Sequence, residues 1–89
     1  MIDRVAIIRT RLEESFNPDS LEVIDDSHLH AGHAGARDGR GHFRVRIKSR
    51  RFLGTKILER HRMVYAALGT LMQTDIHALS VTALGPDEN

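Results

Sequence analysis

Hydrophobic side chains recur along this chain with two periods, and each period predicts a different kind of element. In the first 16 residues they return every three or four positions, which is typical of an amphipathic helix. Pro18 ends this helix, because proline disfavours helical geometry in the residue that precedes it. The apolar positions of the predicted helix are Ile2, Val5, Ile8, Leu12 and Phe16.

Three later segments are predicted to be strands: the first has β-branched residues at its centre, and the other two alternate apolar and polar side chains, as strands with one face against a core do. The first is LEVID at residues 21–25, and the third is IHALSVTAL at residues 76–84. In the third strand we predict that His77, Leu79, Val81 and Ala83 share one face.

The second strand, HFRVRIKS at residues 42–49, alternates most clearly. One face carries the apolar side chains Phe43, Val45 and Ile47, and the other carries His42, Arg44, Arg46 and Lys48. Nothing in the pattern distinguishes His42 from an ordinary surface residue of the polar face.

A second helix is predicted from Lys56 to about Met72, with Thr55 as its N-cap. Its apolar stripe comprises Ile57, His61, Val64, Leu68 and Leu71. The place of His61 on that stripe favours a structural role for Arg60, His61 and Arg62, tying the helix to the sheet.

The order α-β-β-α-β predicts a small two-layer α+β domain over residues 1–89, with a three-stranded mixed sheet and both helices on one face. Strands one and two should pair antiparallel, and strand three should run parallel to a neighbour. Residues 26–41 are expected to form a flexible glycine- and histidine-rich loop, and residues 85–89 an open tail. If strand three runs parallel to strand two, His77 lies at the edge of the sheet that this loop reaches.

Cysteine is absent, which excludes disulfides, thiol catalysis and metal sites built from the chain's own thiolates. No apolar run approaches the ~18 residues of a membrane span, and the charged N-terminus does not resemble a signal peptide. We therefore expect a soluble, cytoplasmic protein without membrane association.

The net charge of +1 conceals two regions of opposite sign. Residues 37–62 carry ten Lys or Arg against two Asp or Glu, and the remainder is strongly acidic. This asymmetry fits a charged partner such as nucleic acid, or two solvated faces of opposite sign. The basic residues that could contact DNA are Arg44, Arg46, Lys48, Arg50 and Arg51.

Four of the six histidines lie between Asp25 and His42. Neutral imidazole is a common metal ligand, so the spacing of His28, His30 and His33 could support a metal site, or the three could be solvated. These histidines with His77 would still make an incomplete zinc site, since a closed one needs four well-placed ligands. The missing, cysteine-rich ligation would have to come from another molecule, which predicts a metal site shared at an interface.

The segments GHFRVRI, SRRFLG, LERHRMVYAAL and IHALSV, in this order and spacing, closely resemble the BolA family. The resemblance implies a fold similar to the K-homology class and a partnership with a monothiol glutaredoxin. The pair would hold a [2Fe–2S] cluster together with glutathione, in cluster trafficking, iron homeostasis or sensing, and the isolated chain would hold none. His77 would be one ligand, and either His30 or His33 the loop ligand.

The same resemblance implies an alternative function, DNA binding and transcriptional regulation by the basic face of strand two. Against it, the chain has no GxxG loop of the kind that clamps nucleotides in K-homology domains, and no stacking aromatics on that face. Side-chain catalysis has little support, because Asp25, Asp26, Ser27 and His28 are neighbours on one loop rather than a triad on a rigid frame. Whether the free protein forms a homodimer is left open.

Overall fold

A computed structural model describes residues 3–30 and 40–89 of the chain. The elements in chain order are helix α1 (Arg4–Phe16), strand β1 (Ser20–Asp25), strand β2 (Gly41–Lys48), helix α2 (Ile57–Leu68), the one-turn helix α3 (Leu71–Thr74) and strand β3 (Ile76–Leu84). Short 3₁₀ turns at Ser27–His30 and Arg50–Phe52 follow β1 and β2. In the described ranges, every helix is too short or too polar to cross a membrane.

The three strands form one sheet in the order β1-β2-β3. β1 pairs antiparallel with β2, and β2 pairs parallel with β3. The predicted α+β domain, its three-stranded mixed sheet and the strand directions are therefore confirmed.

The core lies between the sheet and the helices. Phe43, Val45 and Ile47 of β2 are buried, whereas Arg44 and Arg46 between them are exposed on the outer face. This confirms the alternation predicted for the strand. The same buried cluster includes, from the other elements, Ile8, Leu12, Phe16, Phe52, Val64, Leu68 and Ile76.

Polar groups at both ends fix the limits of α1. The carboxylate of Asp3 accepts a hydrogen bond from the backbone N–H of Ala6 at 3.1 Å, which caps the first turn. Asn17 follows the last turn in the left-handed region, with φ of 43°, and donates its N–H to the carbonyl of Glu13. Pro18 then continues the chain away from the helix, as predicted.

Helix α2 differs from the prediction at both ends. Its N-cap is Lys56 rather than Thr55, because the Thr55 hydroxyl donates to the carbonyl of Phe52 at 2.6 Å instead of capping the helix. The helix ends at Leu68, because Gly69 adopts a φ of 55° that favours glycine. The chain resumes helical geometry only in α3, so the single predicted helix to Met72 is wrong.

The buried stripe of α2 is also shifted from the predicted one. Ile57 is 70% exposed and His61 is half-buried, whereas Arg60 is 8% exposed and lies in line with Val64 and Leu68. Arg60 can occupy this position because its guanidinium donates to the backbone carbonyls of Thr55 and Ala83, at 3.2 and 3.1 Å. The structural role predicted for Arg60 is confirmed, while Arg62 is exposed.

The end of the chain folds back, so the predicted open tail at residues 85–89 is wrong. The Glu88 carboxylate accepts hydrogen bonds from the Arg60 guanidinium and from the backbone N–H of Gly85, the latter at 2.6 Å. These bonds hold the pKa of Glu88 below its usual value. A buried arginine thus recruits a carboxylate from a segment that reads as polar and unstructured.

Candidate functional site

A β-bulge interrupts the ladder between β2 and β3 where both strands begin. Gly41 pairs with Ile76 and His42 pairs with Ala78, so His77 is an extra residue with no partner in the ladder. Such bulges change which face a side chain takes. Ile76 is fully buried and His77 is exposed, so Ile76 rather than His77 shares the inner face with Leu79. The predicted inner-face position of His77 is wrong for this reason.

The exposed ring of His77 meets residues of the segment that leads into β2. Its centroid lies 5.2 Å from that of the His42 ring, with 45° between the ring planes. The Nη2 atom of Arg40 lies 3.2 Å from Nδ1 of His77. Nη1 of the same guanidinium donates to the carbonyl of Gln73 at 3.4 Å. The predicted convergence of His77 with the end of the histidine-rich loop is therefore confirmed.

His42 is held in place by the residues that follow β1. The Ser27 hydroxyl accepts from the backbone N–H of His42 at 3.1 Å, and the N–H of Asp26 donates to its carbonyl at 2.8 Å. Asp25 accepts from the N–H of Ser27 at 2.8 Å, which starts the 3₁₀ turn. Burial opposes ionisation of Asp25, but the hydrogen bonds from Ser27 outweigh it and lower the pKa of this carboxyl group.

Gly41 brings β2 close to two neighbouring groups. Its N–H donates to the carbonyl of Asp75 at 2.9 Å. A Cβ atom at this position would lie 2.6 Å from the Phe43 ring and 2.8 Å from the Ser27 hydroxyl. Both distances are shorter than a carbon atom tolerates, so only glycine lets β2 begin here and carry Arg40 and His42 to His77.

Asp75, which precedes β3, links this edge of the sheet to α1. Its carboxylate accepts hydrogen bonds from the Thr74 hydroxyl and from Nε of Arg4, the latter at 3.1 Å. These two hydrogen bonds lower the pKa of Asp75. The residue immediately before Ile76 and His77 is thus anchored on both its backbone and its side chain.

The structure describes only one of the two predicted loop ligands, His30 and His33. The backbone of His30 ends the 3₁₀ turn Ser27–His30, which lies within the loop predicted at residues 26–41. His33 lies outside the described residues. Within residues 3–30 and 40–89, no three histidine, aspartate or glutamate side chains are grouped so that they could hold a metal ion.

Two residues of the site, Arg40 and His42, were not predicted from the sequence. His42 begins a strand on its polar face and resembles any surface residue there. The only signal that could reveal it is the register of β2 against β3, which brings its ring beside His77. Next to this pair lies a shallow depression of about 250 Å³, lined by Asp26, His42, Phe43, Ala78, Leu79 and Ser80.

The predicted basic residues do not form one continuous surface. Arg44 makes a two-pronged ion pair with Asp26, at 2.9 and 3.3 Å. Arg51 instead donates to the carbonyl of Ser15 at 2.9 Å and packs over the Phe16 ring, on the helix side of the domain. Two of the five basic residues predicted to contact DNA, Arg44 and Arg51, therefore bind groups within this domain.

Known proteins resemble the chain over nearly its whole length. A family model described as BolA-like protein matches residues 12–88. SufE-like protein 1 of Arabidopsis thaliana is 43% identical over 91% of this chain and 23% of its own length. The DNA-binding transcriptional regulator BolA of Escherichia coli (strain K12) is 42% identical over 84% of this chain and 72% of its own length.

The fold has close relatives among solved structures. The BolA domain of SufE1 from Arabidopsis thaliana matches with a TM-score of 0.84 at 39% identity, covering 97% of this chain and 95% of that one. The chain spans between 23% and 58% of the length of the first curated relatives that it matches.

Proposed function

Because this chain belongs to the BolA family, we propose that it is a non-enzymatic partner of a monothiol glutaredoxin. The two proteins would share a histidine-ligated [2Fe–2S] cluster, in cluster trafficking, iron homeostasis or sensing. The observation that carries this proposal is the exposed His77, which a β-bulge turns away from the core and places beside His42.

The donor groups of this edge suit a shared metal centre better than a private one. The chain has no cysteine, and the described ranges contain no group of three ligating side chains that could hold a metal. His77 can supply one nitrogen, and His30, His33 or His42 a second. Glutaredoxin and glutathione would supply thiolates, the ligands on which iron–sulfur clusters depend.

Nitrogen ligation would give the cluster distinct properties. Histidine raises the reduction potential of a [2Fe–2S] centre relative to cysteine ligation. An imidazole can also take up a proton near neutral pH, which a permanent ligand should not do. A cluster held in this way suits transfer or sensing more than permanent storage, and we expect chelators and mild acid to remove it faster than an all-cysteine cluster.

Reconstitution tests the proposal directly. The chain would be mixed with a monothiol glutaredoxin, glutathione, ferrous iron and sulfide, and visible absorption and circular dichroism recorded. The cluster spectrum should differ from that of glutaredoxin alone, change with His77→Ala, and change with one of His30→Ala, His33→Ala and His42→Ala. His61→Ala, on α2, serves as the control. A spectrum identical to that of glutaredoxin alone would refute the shared site.

DNA binding is the second candidate, because a relative 42% identical to this chain is named as a DNA-binding transcriptional regulator. Arg44 and Arg51 are engaged within the chain, which leaves Arg46, Lys48 and Arg50 for phosphate contacts. About three such contacts give a log–log salt slope of roughly −3 on duplex DNA. The five contacts expected from the sequence would give about −4 to −5.

Titration of a fluorescent duplex at several salt concentrations distinguishes these cases. A slope near −3 that becomes less negative with Lys48→Gln would support binding through the outer face of the sheet. No binding at about 50 mM salt, where such electrostatic contacts are strong, would remove the DNA-binding candidate.

A further inference from the structure

Arg40 contacts one of the two ring nitrogens through which His77 could bind a metal. Its Nη2 atom lies 3.2 Å from Nδ1 of His77, and Nη1 of the same group donates to the carbonyl of Gln73. The guanidinium therefore bridges the end of α3 and the imidazole ring. Because arginine has only donors, Nδ1 of His77 must be the acceptor in this contact.

This assignment fixes the state of the whole ring. A neutral imidazole has one N–H and one nitrogen lone pair. If the lone pair of Nδ1 accepts from Arg40, the proton is on Nε2. Neither nitrogen of His77 can then bind a metal ion until the contact with Arg40 breaks.

We propose that Arg40 competes with metal for the Nδ1 lone pair of His77. In one state the guanidinium holds the ring, and in the other the metal does and Arg40 has moved away. Residues that support a metal-ligating histidine normally accept its second N–H, as a carboxylate or a carbonyl does. A guanidinium cannot do this, so Arg40 opposes ligation rather than assisting it.

The competition would make release of a metal centre easier. A ring nitrogen that releases a metal is otherwise hydrated by solvent, whereas here the charged donor Arg40 already lies beside it. Arg40 would therefore lower the affinity of the site and shorten the lifetime of the bound state. The application of this effect to an iron–sulfur cluster rests on the proposed function, whereas the competition itself concerns only this chain.

Zinc ions provide a probe that needs no partner protein, and weak binding is sufficient because the test compares variants and does not require a complete site. Zn²⁺ affinity would be measured for the full chain by competition with a chromophoric chelator, and ¹⁵N-histidine NMR would identify the ring nitrogens that shift. Arg40→Met removes the donors and keeps the length of the side chain. Since the hydrogen bond that is lost is charge-assisted but exposed, we expect zinc to bind about three- to tenfold more tightly, with a ring nitrogen of His77 shifting on binding.

Two further variants make the result specific. Arg46→Met removes one exposed positive charge from β2, the strand that follows Arg40, and it should leave the zinc affinity within about twofold of the original. In a His77→Ala background, Arg40→Met should bring no gain, because the lone pair for which it competes is absent.

The outcomes are decisive in either direction. A gain that requires His77 supports the competition. No gain with Arg40→Met, or an equal gain in the His77→Ala background, overturns it. Because the titration contains no glutaredoxin, failure of the cluster reconstitution would refute the shared cluster and leave this result unaffected, and the converse also holds.

Discussion

The guanidinium of Arg60 is paired with the carboxylate of Glu88, which lies 28 residues further along the chain. The arginine is almost completely buried in α2, and the glutamate lies near the end of the chain, half exposed. A buried charge is tolerated when it is paired and its hydrogen bonds are satisfied. Here the carbonyls of Thr55 and Ala83 and the hydroxyl of Thr55 also accept hydrogen bonds from the guanidinium.

Removal of the guanidinium should destabilise the fold. We expect Arg60→Met to lower the free energy of unfolding by about 1–3 kcal/mol, because it leaves a buried carbonyl of β3 without its donor. Urea denaturation at neutral pH measures the effect. The neighbouring Arg62→Met is the matched control, and since Arg62 is exposed its effect should stay within about 0.5 kcal/mol. Equal effects of the two substitutions would contradict the role of Arg60.

The contribution of Glu88 should depend on pH. Its pKa in the folded chain is below the ordinary value of 4.5, because Arg60 and the N–H of Gly85 bind its ionised form. Such a group stabilises the fold above the unfolded-state pKa, and the stabilisation is lost as the pH falls through the folded-state pKa.

Unfolding of Glu88→Gln and of the original chain should therefore differ at pH 7 and converge toward pH 3. Thermal melts at successive pH values measure this difference. Asp87→Asn removes a neighbouring tail carboxylate and should show little effect at any pH. A stability difference for Glu88→Gln that persists unchanged to pH 3 would be inconsistent with the ion pair.

Gly41→Ala should disturb both the fold and the site. The added methyl group would meet the Phe43 ring and the Ser27 hydroxyl at less than van der Waals distance. Because Phe43 is packed in the core, we expect a loss of about 1–3 kcal/mol in the free energy of unfolding. Gly85→Ala, whose nearest contact would be 3.4 Å from a Glu88 oxygen, is the milder comparison. A Gly41→Ala chain as stable as the original would show that β2 can shift here.

His77→Ala should leave the fold intact. The side chain is exposed and lies on the bulge, so its loss should change the free energy of unfolding by less than about 0.5 kcal/mol. Urea denaturation of the same variant that is used in the cluster reconstitution measures this change in the free energy of unfolding. A larger loss of stability would mean that any change in the cluster spectrum reflects damage to the fold.

If the proposed glutaredoxin partner binds through the outer face of β2, charge reversal on that face should slow their association. Arg44 and Arg46 are exposed there, and Arg44 binds Asp26 at the edge of the depression beside His42. With both residues changed to glutamate, we expect the association rate to fall by roughly three- to tenfold at low salt, and the effect to shrink at high salt. Stopped-flow fluorescence measures the rate.

The control for this experiment is Arg62→Glu, which makes the same kind of charge change on α2. If it slowed association as much as the changes on β2, the effect would reflect net charge rather than the outer face of the sheet. Circular dichroism of the Arg44 variant is also needed, because a glutamate there would lie beside Asp26.

Periodicity was sufficient to predict the strands, whereas their directions followed from the connections between them. β3 was predicted with its observed limits, Ile76–Leu84. The polar and apolar faces of β2 also follow directly from its alternation. Convergence of His77 with the loop followed from the parallel pairing of β2 and β3, which is a rule of chain connection rather than of local sequence.

What could not be predicted depends on contacts between distant segments. The bulge depends on how β3 meets β2, and without it the alternation of IHALSV assigns His77 to the wrong face. The structural role of Arg60 was predicted, but its partners were not, because the carbonyl of Ala83 and the carboxylate of Glu88 lie 23 and 28 residues away in the chain. The limits of α2 were wrong because Thr55 binds the carbonyl of Phe52 rather than the helix, and because Gly69 takes a positive φ.

The bulge also shows that His77 is an addition to a strand that is complete without it. If residue 77 were excised, Ile76 would be followed by Ala78 and Leu79, and the strand would alternate inward, outward and inward without interruption. Gly41 and His42 would keep their present partners in the ladder. The side chain proposed as a ligand therefore belongs to the extra residue of the bulge, which the sheet accommodates without losing a pairing or a core side chain.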